Sequence, residues 1–119
     1  MRVLVWVCVA LLGGVGALLR FGLDAFVSSR ADAAEFPLGT FAVNISGAFV
    51  LGVFAGAGLR GDALLLAGTA TLGAYTTFST WMFETHRLGE DGSFAFAALN
   101  VVVSLMVGVA AAALGRAIA

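Results

Sequence analysis

One segment of this chain reads Gly73-Ala74-Tyr75-Thr76-Thr77-Phe78-Ser79-Thr80-Trp81-Met82-Phe83-Glu84. Up to Phe83 it forms the second half of a charge-free run, residues 63–83, that is long enough to cross a bilayer. A glycine followed by β-branched threonines propagates a helix poorly. In hydrocarbon a released backbone group must find another partner, so irregular backbone survives only where protein, water or an ion satisfies it. The segment therefore predicts a membrane span broken at Gly73, with hydroxyls and aromatic rings beside an ion site.

Working outward, the whole chain is apolar. Its 119 residues are 61% hydrophobic and 11% charged, and the mean hydropathy is +1.07. Because a span needs about 20 apolar residues, the charge-free runs predict spans at residues 38–59, 63–83 and 94–115, and the shorter run 3–19 predicts a first span, 3–27, if the helix continues past Arg20. Span one includes Arg20, whose long side chain can reach the interface or a wet cavity. We predict an all-α membrane protein with one transmembrane domain over residues 1–119, and its first span is expected to be retained rather than cleaved as a signal peptide.

Positive charge is almost balanced between the two sides that four spans define. The arginines are Arg2, Arg60 and Arg116 on one side against Arg30, Arg87 and, if it is counted, Arg20 on the other. The positive-inside rule therefore has little to act on, and we expect the chain to insert in both orientations. The alternative is a weak single orientation set by Arg2 and the loop between spans two and three. The net charge of −1 gives no basis for binding nucleic acid.

Small residues recur at intervals of four in two of the spans. Gly52 and Gly56 form such a pair in span two, and Ser104, Gly108 and Ala112 form a ridge in span four. Ridges of this kind let helix backbones approach closely in lipid. We expect them to mark helix–helix contacts.

The polar residues that we select in spans two to four carry no formal charge. They are Asn44 in span two, Thr76, Ser79 and Thr80 in span three, and Asn100 and Ser104 in span four. Amide and hydroxyl donors can replace hydrating water, and the rim of a ring such as Phe78 is the positive end of its quadrupole. The set suits a small, strongly hydrated anion. The alternative for each serine or threonine is a bond to its own helix.

Three motifs in order resemble those of the Fluc (CrcB-type) fluoride channels. Residues 13–21, Gly-Gly-Val-Gly-Ala-Leu-Leu-Arg-Phe, are similar to the motif of span one in that family. Residues 39–47, Gly-Thr-Phe-Ala-Val-Asn-Ile-Ser-Gly, are similar to the motif of span two, and residues 73–84 to that of span three. The resemblance covers nearly the full chain.

The resemblance implies a passive fluoride channel of the prokaryotic plasma or inner membrane, which exports fluoride from the cytoplasm and lowers its toxicity. It implies an antiparallel, dual-topology homodimer with two fluoride pores and a structural sodium ion that is not transported. The backbone carbonyls of Gly73 and Thr76 match the sodium ligands. The fluoride pathway matches Asn44 as pore asparagine, Phe78 as the first ring of an aromatic box, Ser79 and Thr80 as a hydroxyl track, Arg20 as vestibule arginine and Ser104 as span-four serine.

Two positions depart from the family pattern. Trp81 stands where the second box phenylalanine is expected, and Asn100 stands where many members have tyrosine, although a donor is kept. Both residues are included in the expected fluoride pathway. Either the box accepts a larger ring, or one pore per dimer is altered and the chain pairs with a homologous partner.

Two other functions fit a four-span chain of this size. A small multidrug-type, proton-coupled exporter would need a carboxylate within span one, where this chain has none before Asp24. The nearest candidates elsewhere, Glu84 and His86, lie at a span end. A non-conducting membrane assembly subunit would tolerate alanine at every polar position. We expect no enzymatic activity.

Overall fold

The computed structural model describes residues 2–31 and 34–119, and within them all regular secondary structure is helical, with no strand. The helices are α1 (Arg2–Arg30), α2 (Leu38–Gly56), α3 (residues 61–75), α4 (Ser79–Glu90) and α5 (Phe94–Ile118). Three of them, α1, α2 and α5, are long and apolar enough to cross a membrane. The predicted third span is divided between α3 and α4, so neither part reaches that length alone. The all-helical prediction is confirmed for the described residues.

Glycines in left-handed conformation separate the helices. Gly58 and Gly61 have φ of +74° and +59°, and Gly92 has φ of +82°. Only glycine adopts such values without strain. For this reason α2 ends at Gly56, three residues before the end of the predicted span 38–59.

Helices α2 and α5 pack backbone to backbone through their small residues. A Cβ atom added to Gly52 would overlap the Ala112 backbone, and one added to Gly115 would overlap the Phe49 carbonyl oxygen. Side chains larger than hydrogen at these two glycines would force the helices apart. The prediction that Gly52 and Ala112 lie at helix–helix contacts is confirmed, and the two residues meet each other where α2 packs beside α5.

The third span does not leave the helix at Gly73, so that prediction is wrong. Within α3, a short α-helical start is followed by a π-helix over Leu64–Leu72, and Gly73–Tyr75 is again α-helical. Gly73 has φ of −61° and ψ of −38°, and its N–H donates to the Gly68 carbonyl five residues earlier. The wider turn keeps Gly73 helical. The backbone becomes extended only at Thr76, with φ of −81° and ψ of 162°, and the helix resumes at Ser79.

Candidate functional site

The interruption at residues 76–78 is bound to α2 by the side chain of Asn44. The Thr77 N–H donates to Asn44 Oδ1, and Asn44 Nδ2 donates to the Thr77 carbonyl, each over 2.8 Å. A single side-chain amide thus satisfies both backbone groups of a residue that has left the helix. This is the kind of protein partner that non-helical backbone requires at membrane depth.

A second connection from α2 holds the end of α3. Ser46 Oγ lies 2.8 Å from the Tyr75 hydroxyl and also donates to the Val43 carbonyl at 3.0 Å. Ser46 therefore donates to Val43 and accepts from Tyr75. Gly47 packs against this region, because a Cβ there would overlap Thr76 Cγ2. Ser46 and Tyr75 were missed as a pair by the sequence reasoning.

The interruption removes the usual helical partners of several backbone carbonyls, those of Gly73 and Thr76 among them. In a continuous α-helix the Thr77 N–H would bond the carbonyl of Gly73, and the Thr80 N–H would bond that of Thr76. Here the Thr77 N–H donates to Asn44 instead, and the Thr80 N–H donates to Thr77 Oγ1 at 3.2 Å. The carbonyls of Gly73 and Thr76 therefore lose these helical partners.

An open cavity of about 670 Å³ lies along the interruption between α2, the third span and α5. Its lining includes six of the residues selected from the sequence: Asn44, Gly73, Thr76, Phe78, Trp81 and Ser104. Four others do not line it within the part of the chain that the structure describes: Arg20, Ser79, Thr80 and Asn100. Apart from Thr69 and Thr77, the rest of the lining is apolar or glycine.

The two aromatic residues form an edge-to-face pair. The ring centroids of Phe78 and Trp81 are 5.7 Å apart and the ring planes meet at 82°. Phe78 is 70% exposed, whereas Trp81 is partly buried. In this geometry the edge of one ring approaches the face of the other. Trp81 lines the cavity together with Phe78. Its indole ring is larger than the phenylalanine ring expected at this position from the family pattern.

Asn100 lies at the centre of a buried polar network between α4 and α5. It is 1% exposed, and its Nδ2 donates to Thr85 Oγ1 at 2.8 Å and to the Trp81 carbonyl at 3.4 Å. The Trp81 indole N–H donates to the Asn100 carbonyl at 3.0 Å. Ser104 Oγ approaches Asn100 Oδ1 at 3.5 Å. Thr85, one turn beyond Trp81, was also missed by the sequence reasoning.

The remaining candidates, Arg20, Ser79 and Thr80, lie outside the cavity lining of the described residues. Arg20 is partly buried on α1. Ser79 is exposed and Thr80 partly buried in the first turn of α4, and Ser79 Oγ lies 3.5 Å from Thr77 Oγ1. These two hydroxyls follow the interruption directly in the chain.

Two buried oxygens were not expected as a pair. Thr40 is 2% exposed, and neither its Oγ1 nor Glu84 Oε1 has a hydrogen-bond partner among residues 2–31 and 34–119. Thr40 lies one helical turn before Asn44, on the same face of α2. Buried polar atoms normally have a partner, and the Thr40 hydroxyl lies close enough to the Glu84 carboxyl to interact with it. The spacing of Thr40 and Asn44 was visible in the sequence, whereas the approach of Glu84 was not.

Comparison with known proteins identifies the family to which the chain belongs. The family model of the CrcB-like protein, Camphor Resistance (CrcB), matches residues 7–116. The chain belongs to the CrcB family. A relative from Mycolicibacterium paratuberculosis, "Fluoride-specific ion channel FluC 2", is 56% identical over 117 residues, which are 98% of this chain and 95% of the relative. "Fluoride-specific ion channel FluC 1" of Streptomyces avermitilis is 45% identical, covering 92% and 91%.

Membership of the CrcB family confirms the resemblance found in the three motifs. A third relative, "Fluoride-specific ion channel FluC 1" of Symbiobacterium thermophilum, is 36% identical over 118 residues, covering 95% of each chain. Together with the three apolar helices, the family establishes a multi-pass protein of the cell membrane.

Proposed function

We propose that this chain forms a passive, fluoride-selective ion channel that lets fluoride leave the cytoplasm. The observation that carries the proposal is the uncharged set of donors and ring edges at the interruption of the third span, in a chain 56% identical to a relative named as a fluoride-specific channel. An uncharged lining can attract an anion by replacing its water without holding it too tightly to leave.

Asn44 keeps one donor for an anion. A side-chain amide has two N–H groups, and one of those of Asn44 is used by the Thr77 carbonyl. The second is available at a cavity-lining position. Phe78 and Trp81 add ring edges, Ser104 adds a hydroxyl, and Ser79 and Thr80 extend the hydroxyl series. Arg20 contributes positive charge at a vestibule.

Passive conduction is favoured over proton-coupled export. In α1 the only carboxylate is Asp24, and it lies near the end of the helix, where Ser28 Oγ donates to it at 3.1 Å. A small multidrug-type exporter needs its acidic residue within that span. The names of the relatives describe channels, and a channel needs no enzymatic step.

The active unit is an antiparallel homodimer in which the two copies have opposite orientations. In such a dimer the two-fold axis lies in the membrane plane, so only the middle of a span meets its own copy. Gly73 is near the middle of the third span and is exposed in the single chain. A homologous partner chain in place of the second copy is the alternative, and it would explain the altered ring at Trp81.

A structural sodium ion fits the carbonyls at this axis. The Gly73 and Thr76 carbonyls have lost their helical N–H partners to Asn44 Oδ1 and Thr77 Oγ1. Two carbonyls from each copy give four oxygen ligands, which suit a hard cation. The ion would join the two copies and would not cross the membrane.

Fluoride efflux from liposomes that contain the purified protein tests the proposal. We expect rapid fluoride efflux, no comparable chloride efflux, and no dependence on a pH gradient. Efflux that requires a proton gradient would favour the exporter. Absence of efflux together with tolerance of alanine at Asn44 would favour the assembly subunit.

A further inference from the structure

We infer that Thr85 and Asn100 are positioning residues for Trp81, and that they keep its indole N–H away from the fluoride pathway. The inference rests on the proposed fluoride channel. It assigns to Asn100 a different role from that of the family's tyrosine position, because Asn100 holds the ring and does not itself contact the anion.

The hydrogen bonds between α4 and α5 form a closed circuit. The Trp81 indole N–H donates to the Asn100 carbonyl at 3.0 Å, and Asn100 Nδ2 donates to Thr85 Oγ1 at 2.8 Å. Thr85 Oγ1 in turn donates to the Trp81 carbonyl at 2.8 Å. The three hydrogen bonds connect Trp81, Asn100 and Thr85 in a ring. Trp81 takes part through its indole N–H and through its backbone carbonyl, so both hold the orientation of the indole.

The circuit leaves Asn100 without a donor for an anion. Its amide N–H groups point to Thr85 Oγ1 and, at 3.4 Å, to the Trp81 carbonyl, and the residue is 1% exposed. It is also absent from the cavity lining among the described residues. A residue in this setting acts on the pathway only through its neighbours.

Because the indole N–H donates to the Asn100 carbonyl, Trp81 can contact an anion only through its ring C–H groups. A free indole N–H is a full hydrogen-bond donor, whereas the edge of the ring offers only weakly positive C–H groups. Conduction requires sites that an ion can leave. With its N–H bonded to the Asn100 carbonyl, Trp81 presents ring carbons beside Phe78, and the larger ring can replace phenylalanine without adding a strong anion site.

A double-mutant cycle tests this assignment. Thr85→Val removes the hydroxyl with little change of shape, and Thr85→Ser keeps it. We expect Thr85→Val to lower fluoride efflux per folded protein by roughly three- to tenfold, with Thr85→Ser restoring it. In a Trp81→Phe background the same change should alter efflux less than about twofold, because no indole remains to be held. Equal losses in the two backgrounds would overturn the inference.

Fluorescence provides a readout that does not depend on fluoride flux. In a Trp6→Phe protein, Trp81 is the only tryptophan, and Trp6 is itself 58% exposed on α1. We expect Thr85→Val to increase acrylamide quenching of Trp81 and shift its emission, whereas Thr85→Ser does neither. Unchanged emission and quenching in Thr85→Val would overturn the positioning role. If the unmodified protein carries no fluoride, the proposed function fails, while the fluorescence still decides whether Thr85 holds the ring.

Discussion

Asn44 and Thr77, 33 residues apart in the chain, are joined by two hydrogen bonds of 2.8 Å each. The Asn44 amide replaces the hydrogen-bond partners that Thr77 would have in a continuous helix. It accepts from the Thr77 N–H and donates to the Thr77 carbonyl. The interruption of the third span is therefore held open by a side chain of α2. Asn44 has both a structural role and, through its second N–H, a place in the proposed pathway.

Replacing Asn44 by alanine should affect stability and flux together. Two backbone groups would lose their partner, at a cost of about 1–3 kcal/mol for each one left buried and unpaired. Loss of the remaining N–H should lower fluoride efflux by roughly ten- to a hundredfold. Thermal unfolding in detergent and efflux from liposomes measure the two effects.

Ser46→Ala is the matched control for Asn44→Ala. It removes the hydrogen bond between α2 and Tyr75 and leaves the bonds to Thr77 in place. We expect a smaller loss of stability and a much smaller loss of efflux than for Asn44→Ala. Normal efflux from the Asn44→Ala protein would remove Asn44 from the pathway.

The sequence predicted the helices better than it predicted the interruption. Charge-free runs and small-residue ridges depend on local composition, so the apolar helices, and the presence of Gly52 and Ala112 at helix contacts, could be found from them. Gly73 was expected to break the helix because glycine propagates helices poorly. The break occurs three residues later because an amide on another helix captures the Thr77 N–H, and no local pattern contains that contact.

Removing the Phe78 ring should reduce flux without unfolding the protein. The side chain is 70% exposed and forms an edge-to-face pair with Trp81, so Phe78→Ala removes little buried surface. We expect fluoride efflux to fall roughly tenfold or more, because an anion would lose one ring edge at the cavity. Phe94→Ala is the control, since Phe94 is 73% exposed on α5 outside the cavity lining. Equal efflux from the two variants would contradict a role for Phe78.

Contacts between helices also decide which of the candidate residues line the cavity and which do not. Asn44, Phe78, Trp81 and Ser104 line one cavity because α2, the third span and α5 meet there. Asn100 shares a helix face with Ser104, yet its amide is turned towards Thr85. Helical spacing gives the face of a residue, whereas the direction of its donors depends on the neighbouring helix. The roles of Thr85 and Ser46 could be found only from the packed structure.

Gly47→Ala should distort the interruption, and Thr76→Ser should relieve the distortion. A Cβ at Gly47 would overlap Thr76 Cγ2, and serine lacks that methyl group while keeping the hydroxyl that donates to the Leu72 carbonyl. We expect Gly47→Ala to cost about 1–3 kcal/mol of stability and the double variant to recover part of it. Unfolding temperatures of the four proteins form the test. Additive losses would show that the two positions do not interact in this way.

Both orientations of the chain should occur in the native membrane, because the arginines on the two sides are nearly balanced. A reporter fused to the C-terminus should be detected on both sides. Two lysines added to the loop between α2 and α3 should favour one orientation and lower fluoride efflux, since fewer antiparallel pairs can form. A reporter found on one side only, with full efflux, would indicate a partner chain of opposite orientation.

Sodium should stabilise the dimer without crossing the membrane. The carbonyls of Gly73 and Thr76 have lost their helical N–H partners, and an unpaired carbonyl in hydrocarbon costs several kcal/mol. Exchange of sodium for a bulky organic cation should therefore lower the unfolding temperature or the efflux rate. Thr76→Ser should keep the response to sodium because the ligands are backbone oxygens. Fluoride efflux should carry no sodium. If sodium removal changes neither stability nor flux, or if sodium crosses with fluoride in a fixed ratio, these two carbonyls do not form a structural sodium site.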